Sequence, residues 1–171
     1  NKHVQLIETV TPIVGTHNQT FTLNSIDGSI KELIWVFQHP DRITTANPII
    51  RDNVALNTHT GNDFFNYSGL SVANNSLDPF TDLEVFIGNE VSYNTRSAAY
   101  YRQYIPYQYH SSNPQNYVYA FPLSLNPEEK QPSGGFNILH DRKNIQLKFS
   151  GVHSGYELKL FAVSNRLLVI N

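Results

Sequence analysis

Between Tyr117 and Leu125 the chain alternates strictly. Tyr117, Tyr119, Phe121, Leu123 and Leu125 fall on one side, and Val118, Ala120, Pro122 and Ser124 on the other. A period of two marks a strand, because successive side chains leave a pleated backbone on opposite faces. The face of large residues predicts a strand lying against a second sheet. Asn126-Pro127 ends it, since proline offers no N–H to a ladder and pushes its predecessor toward extended geometry. Glu128, Glu129 and Lys130 predict a solvated corner. Gln131-Pro132-Ser133-Gly134-Gly135 predicts a tight turn before Phe136 opens the next apolar run.

The same periodicity recurs along the chain. Val4–Val10, Thr20–Leu23, Ile30–Gln38, Leu83–Gly88, Asn144–Ser150, Tyr156–Val163 and Arg166–Ile170 read as further strands. In Ile30–Gln38, Ile30, Glu32, Ile34, Val36 and Gln38 alternate against Lys31, Leu33, Trp35 and Phe37. Both faces are apolar at the centre, which predicts an interior strand with Trp35 as a core anchor. Asp27-Gly28 is a hairpin-type turn signal, and Gly88-Asn89 turns the chain again. One helix is predicted, over Thr95–Tyr104. Thr95 would cap it, Ala98, Tyr101 and Ile105 would share a face, and Pro106 would end it. From His39 to Pro79 periodicity fades over a length unusual for a connection, so this stretch holds short strands or is a surface excursion. The expectation is an all-β, eight-stranded jelly-roll sandwich with a short helix in one long connection.

Composition sharpens this picture. The 171 residues suit one domain, 1–171, able to bury about two-thirds of its unfolded surface. Charged residues are 15%, against roughly 25% in an ordinary soluble domain. So low a charge density predicts a surface that meets other protein. Twelve basic and 14 acidic residues give a net charge of −2 with no basic block, which argues against a nucleic-acid partner. Cysteine is absent, which excludes disulfides and thiolate metal sites. Methionine is absent too, so the chain is expected to be a piece of a longer protein. No stretch has the apolar length for a spanning helix, and direct membrane insertion is not expected.

Candidate chemistry is sparse. His3, His17, His39, His59, His110, His140 and His153 include no His-x-His or His-x-x-x-His pair, so no metal site is expected and the rings should be solvated or singly hydrogen-bonded. Ser133 sits in P-S-G-G rather than G-x-S-x-G, which makes it a turn residue rather than a nucleophile. Gly134-Gly135 lacks the lysine and helix of a phosphate loop. Glu128 and Glu129 point to different sides and do not form a catalytic pair. No catalytic residue, cofactor or enzymatic activity is expected. Tyr100, Tyr101, Tyr104, Tyr107 and Tyr109 form an aromatic cluster. Packing or subunit contact through Tyr101, Tyr104, Tyr107 and Tyr109 is the favoured reading, and sugar binding by a lectin-like module is the alternative. Asn18, Asn66 and Asn74 begin glycosylation sequons of a kind that an asparagine-rich chain produces by chance.

The order L-x-P-E-x-x-Q-P-S-G after a tyrosine-rich strand, here Leu125, Pro127, Glu128, Gln131, Pro132, Ser133 and Gly134, then Asn137, resembles the major capsid proteins of large double-stranded DNA viruses. KELIWVFQ (31–38), GNDFFNYS (61–68) and QYIPYQYH (103–110) resemble the same family in the same order. Where many members carry N-F-S-R-I-D after the turn, this chain has Ile138, Leu139 and His140, and its variant leans toward the asfarvirus-like branch. The resemblance implies the second, C-terminal jelly roll of a double jelly-roll protein. It implies homotrimers forming pseudo-hexagonal capsomers of an icosahedral virion capsid, assembled in the host cytoplasm. Neighbouring capsomers, minor capsid proteins and penton proteins are the implied partners. The loop 39–79 is expected to face a partner or the virion exterior.

Overall fold

A computed structural model of the chain describes residues 2–8, 17–24, 26, 28–39, 50–51, 54–55, 67–70, 76–114 and 116–165. Two four-stranded antiparallel sheets face each other. One sheet is built from β1 (Lys2–Glu8), β12 (Glu157–Asn165), β3 (Ser29–Gln38) and β10 (Tyr119–Pro122), in that order across the sheet. The other is built from β2 (His17–Leu23), β11 (Ile145–Val152), β8 (Asp82–Ile87) and β9 (Glu90–Ser97). Two short ladders, β4 (Ile50–Arg51) with β5 (Val54–Ala55) and β6 (Gly69–Leu70) with β7 (Ser76–Leu77), lie within the long connection 39–79. This is the jelly-roll sandwich, with the all-β class as expected.

The register explains the core. In the first sheet Leu160, Trp35 and Tyr119 lie in one row across three strands, and Ala162, Leu33 and Phe121 in the next inward-facing row. In the second, Phe21, Leu147 and Val85 form a row. These side chains interdigitate between the sheets and are buried. Trp35 is fully enclosed, stacked on Tyr119 at 5.9 Å and edge-on to Phe149 at 6.0 Å. Burying one such large side chain contributes about 1.5–3 kcal/mol, so the contact of Trp35 with Phe149 across the core helps hold the two sheets together.

Seven of the expected strands are present, and the candidate Arg166–Ile170 lies outside the described residues. The sandwich's remaining strand is β9, whose last three residues the sequence assigns to a helix. Thr95 therefore lies within a strand, at a register shift in the β8–β9 ladder, rather than capping a helix. The helix begins later, as a π-helix over Tyr100–Tyr104, and continues as α1 (Ile105–Tyr109). Pro106 does not end it. It occupies the first turn of α1, where a missing N–H costs little. Ala98, Tyr101 and Ile105 are buried together, as the spacing predicted.

Three further expectations are corrected. The strand expected over Tyr117–Leu125 is hydrogen-bonded as a strand only over Tyr119–Pro122. Upstream, the Val118 N–H turns back to the Asn116 carbonyl at 2.7 Å, and downstream Leu125 is 76% exposed in the corner. Gly28 does carry the positive φ of a turn, +93°, but β2 and β3 belong to different sheets, so no hairpin forms there. The hairpin lies instead between β8 and β9, around Gly88. Finally, the apolar run expected from Phe136 enters a short helix, α2 (Ile138–Asp141).

Candidate functional site

The π-helix and α1 carry the tyrosine cluster, and the fold sorts its members. Tyr101 is wholly enclosed against Trp35, and its hydroxyl donates to the Leu83 carbonyl at 3.1 Å. Burial raises its pKa far above the ordinary phenol value. It is core, and unavailable to a subunit contact. Tyr109 and Tyr100 pack partly against the core. Tyr104 and Tyr107 point outward, 51% and 77% exposed, and Tyr104 stacks on Tyr100 at 4.9 Å. Large exposed rings held rigid by a helix are suited to a protein contact.

An ion pair pins this helical segment to the sandwich. Asp78, ahead of β8, accepts two hydrogen bonds from Arg102, at 2.8 and 3.1 Å, and one from the Tyr119 hydroxyl at 2.8 Å. The Arg102 guanidinium also lies 4.7 Å from the Tyr117 ring centre. Hydrogen bonding to Asp78 raises the Arg102 pKa further, burial opposing, and burial raises that of the Tyr119 hydroxyl. One carboxylate thus ties three segments together.

The turn 125–136 is built as its residues predict. The Asn126 N–H donates to Ser133 Oγ at 2.8 Å, and that hydroxyl donates to the Asn126 carbonyl at 3.2 Å. Ser133 is a turn residue. Pro127 is buried, whereas Gln131, Pro132 and Gly134 are exposed, and Gly134 has φ of +116°. Gly135 lies so close to β3 that a Cβ there would meet the Ile30 carbonyl oxygen at 3.0 Å. Phe136 can then exchange hydrogen bonds with Ile30 at 2.8 and 2.9 Å. Asn137 next caps α2, its Oδ1 accepting from the Leu139 and His140 amides at 3.1 and 3.0 Å, while Asp141 accepts from the Asn137 amide at 3.2 Å. Ile138, Leu139 and His140 all lie in this helix.

The sequence reading missed one cluster. His110, just past α1, meets Glu32 of β3 through Nε2 at 2.5 Å and Glu128 of the corner through Nδ1 at 3.1 Å. Glu128 also accepts from the Ser111 amide at 3.0 Å. The ring is therefore doubly paired, and Glu128 is more than a solvated corner residue. The available signal was Glu32, an acid within a strand that reads as buried on both faces. Both ring nitrogens face carboxylates, and the Ser111 hydroxyl donates to Glu128 at 3.4 Å. Among the described residues no three His, Asp or Glu side chains converge on a metal position. Asn18 is exposed on β2, and Asn66 and Asn74 lie outside the described residues.

Residues 2–166 match a family described as large eukaryotic DNA virus major capsid protein. Among solved structures, the Faustovirus major capsid protein superposes with a TM-score of 0.71 at 16% identity, covering 99% of this chain and 33% of that one. PBCV-1 VP54, from a crystal structure fitted into a reconstruction of the virophage Sputnik, gives 0.63 at 19% identity, covering 95% of this chain and 46% of that one. A quasi-atomic model of the PBCV-1 virus capsid gives 0.62 at 18% identity, with the same coverage. The chain thus spans half or less of the length of each structure. No curated protein sequence matches it.

Proposed function

The chain belongs to the family of large eukaryotic DNA virus major capsid proteins, a structural component of the virion, and we propose that it is the second jelly roll of a double jelly-roll polypeptide. Its work is symmetric association rather than catalysis. Three copies form a pseudo-hexagonal capsomer, and capsomers tile an icosahedral shell with minor capsid and penton proteins, assembled in the host cytoplasm. The observation that carries this reading is that one sandwich covers 95–99% of this chain and less than half of each capsid structure it resembles. The remaining length of those chains leaves room for another domain of similar size. The low charge content and the outward Tyr104 and Tyr107 support a role in protein contact. The lectin-like alternative finds no support in the family or in these structures.

The test is the hydrodynamic state of the full polypeptide from which this chain comes. A trimer is expected. Replacing both Tyr104 and Tyr107 by Ser should leave the fold's circular dichroism unchanged and shift sedimentation toward the monomer. A full-length protein that sediments as a monomer overturns the reading. An unshifted trimer in the double variant removes these two rings from the contact.

A further inference from the structure

His110 sits between two carboxylates that come from opposite directions. Glu32, on β3, is 4% exposed and meets Nε2; Glu128, on the corner, is 44% exposed and meets Nδ1. A carboxylate only accepts hydrogen bonds, and a neutral imidazole has a single N–H. A neutral ring can therefore satisfy one of these partners, and it turns a lone pair toward the other. Only the imidazolium satisfies both.

We propose that His110 is a proton-operated clamp: carrying both ring protons, it fastens the end of α1 to β3 and to the 125–133 corner at once, and on losing one proton it must release one carboxylate. The released partner is Glu128, because it is the exposed one and water can replace the bond. Glu32 has no such outlet and keeps the remaining N–H.

The groups around the ring agree. β3 contributes Glu32 and Ile34, α1 contributes Pro106, the segment before and within β10 contributes Pro114, Val118 and Ala120, and the corner contributes Glu128. The neighbouring cation, Lys31, donates to the Glu129 carbonyl. The hydrogen bond to Glu32 raises the His110 pKa above its ordinary 6.5; burial opposes this, and Glu128 adds to it. For Glu128 burial acts upward, but the Ser111 amide and His110 outweigh it and hold the pKa below its ordinary 4.5. The sign follows from linkage. The histidine's contribution is complete below 6.5 and is lost as pH rises through the raised value. The Glu128 contribution is complete above 4.5 and is lost as pH falls through the lowered value. The clamp is closed in mild acid and opens on the alkaline side.

The consequence concerns the surface that carries Tyr104 and Tyr107. Those rings stand on the helical segment whose far end the clamp holds, so mild acid locks the segment and alkaline pH loosens its end and the corner together. The clamp itself does not rest on the proposed capsomer; its use at a subunit contact does.

Hydrogen exchange on the intact polypeptide, expressed as protection factors that correct for intrinsic rates, tests the clamp directly. Peptides spanning 105–114 and 125–133 should be about three- to tenfold better protected at pH 6 than at pH 8.5. The peptide covering β11 should show no such difference. Glu128→Gln should abolish the difference at 125–133. His110→Gln should abolish it in both peptides. Equal protection at the two pH values in the unmodified protein overturns the clamp, as does a pH difference at 125–133 that survives Glu128→Gln. If the clamp holds while sedimentation shows no trimer, the clamp stands and the subunit-contact reading falls.

Discussion

The two sheets of the sandwich share one core and part company on their outer faces. On the second sheet, Thr20, Thr22 and Lys148 stand in solvent, and Lys148 reaches Glu84 at 3.6 Å across the surface. On the first sheet, Val36, Val163, Ala120 and even Glu32 are buried on the side away from the core. One sheet is thus wet on its outer face, and the other is the drier there, with Ile34, Lys159 and Phe161 half-buried. A strand buried on both faces reads as a nearly continuous apolar run, and LIWVF in β3 is such a run. An acid in that setting needs a partner, and Glu32 finds His110. The wet sheet needs no comparable device, because water solvates whatever its outer face presents.

Substitutions can break or sharpen this contrast, and the largest effect belongs at the shared core. Trp35→Ala should cost about 3–5 kcal/mol, since the ring is fully enclosed and its removal leaves a cavity among Tyr101, Tyr119 and Phe149. Equilibrium denaturation measures it, and a loss below about 1 kcal/mol would refute Trp35 as a tie between the sheets. Next is Asp78→Ala, which strands the Arg102 guanidinium and the Tyr119 hydroxyl and should cost about 2–3 kcal/mol. Tyr119→Phe should cost less, because it removes a donor and leaves the ion pair intact. Smaller again is a pH effect specific to the drier sheet. Stability should decline as pH climbs through the raised pKa of His110, and His110→Gln should flatten that part of the pH profile. The smallest effect is on the wet sheet. Lys148→Ala should change stability by less than about 0.5 kcal/mol, because an exposed pair at 3.6 Å gains little over solvation. If Lys148→Ala proved as costly as Asp78→Ala, the contrast between the two sheets would fail.

The two groups of side chains on β3 are legible in the sequence, because the pleat alone dictates which residues share a side. Ser133 and Gly135 were equally readable as turn residues, since their roles are local. Thr95 was misread because a capping residue looks the same whether or not a helix follows, and the ladder to β8 decided otherwise. Pro106 was misread because proline stops a helix interior but suits a first turn, and the start of the helix lay several residues later than its spacing suggested. Tyr101 and Tyr107 look alike in a string of tyrosines, yet one is sealed in the core and the other stands in solvent. The tyrosine string was legible as a contact-type composition, whereas the choice of which rings reach outward was not.

The amino-acid sequence by itself determined the strand-forming periods, the inward and outward faces, the turn chemistry and the family likeness. All of these depend on residues within a few positions of one another. Only the tertiary structure decided that β2 and β3 part into different sheets and that His110 meets an acid 78 residues before it in the chain. Those outcomes follow from desolvation and from hydrogen bonds across large sequence separations, to which no local pattern is sensitive.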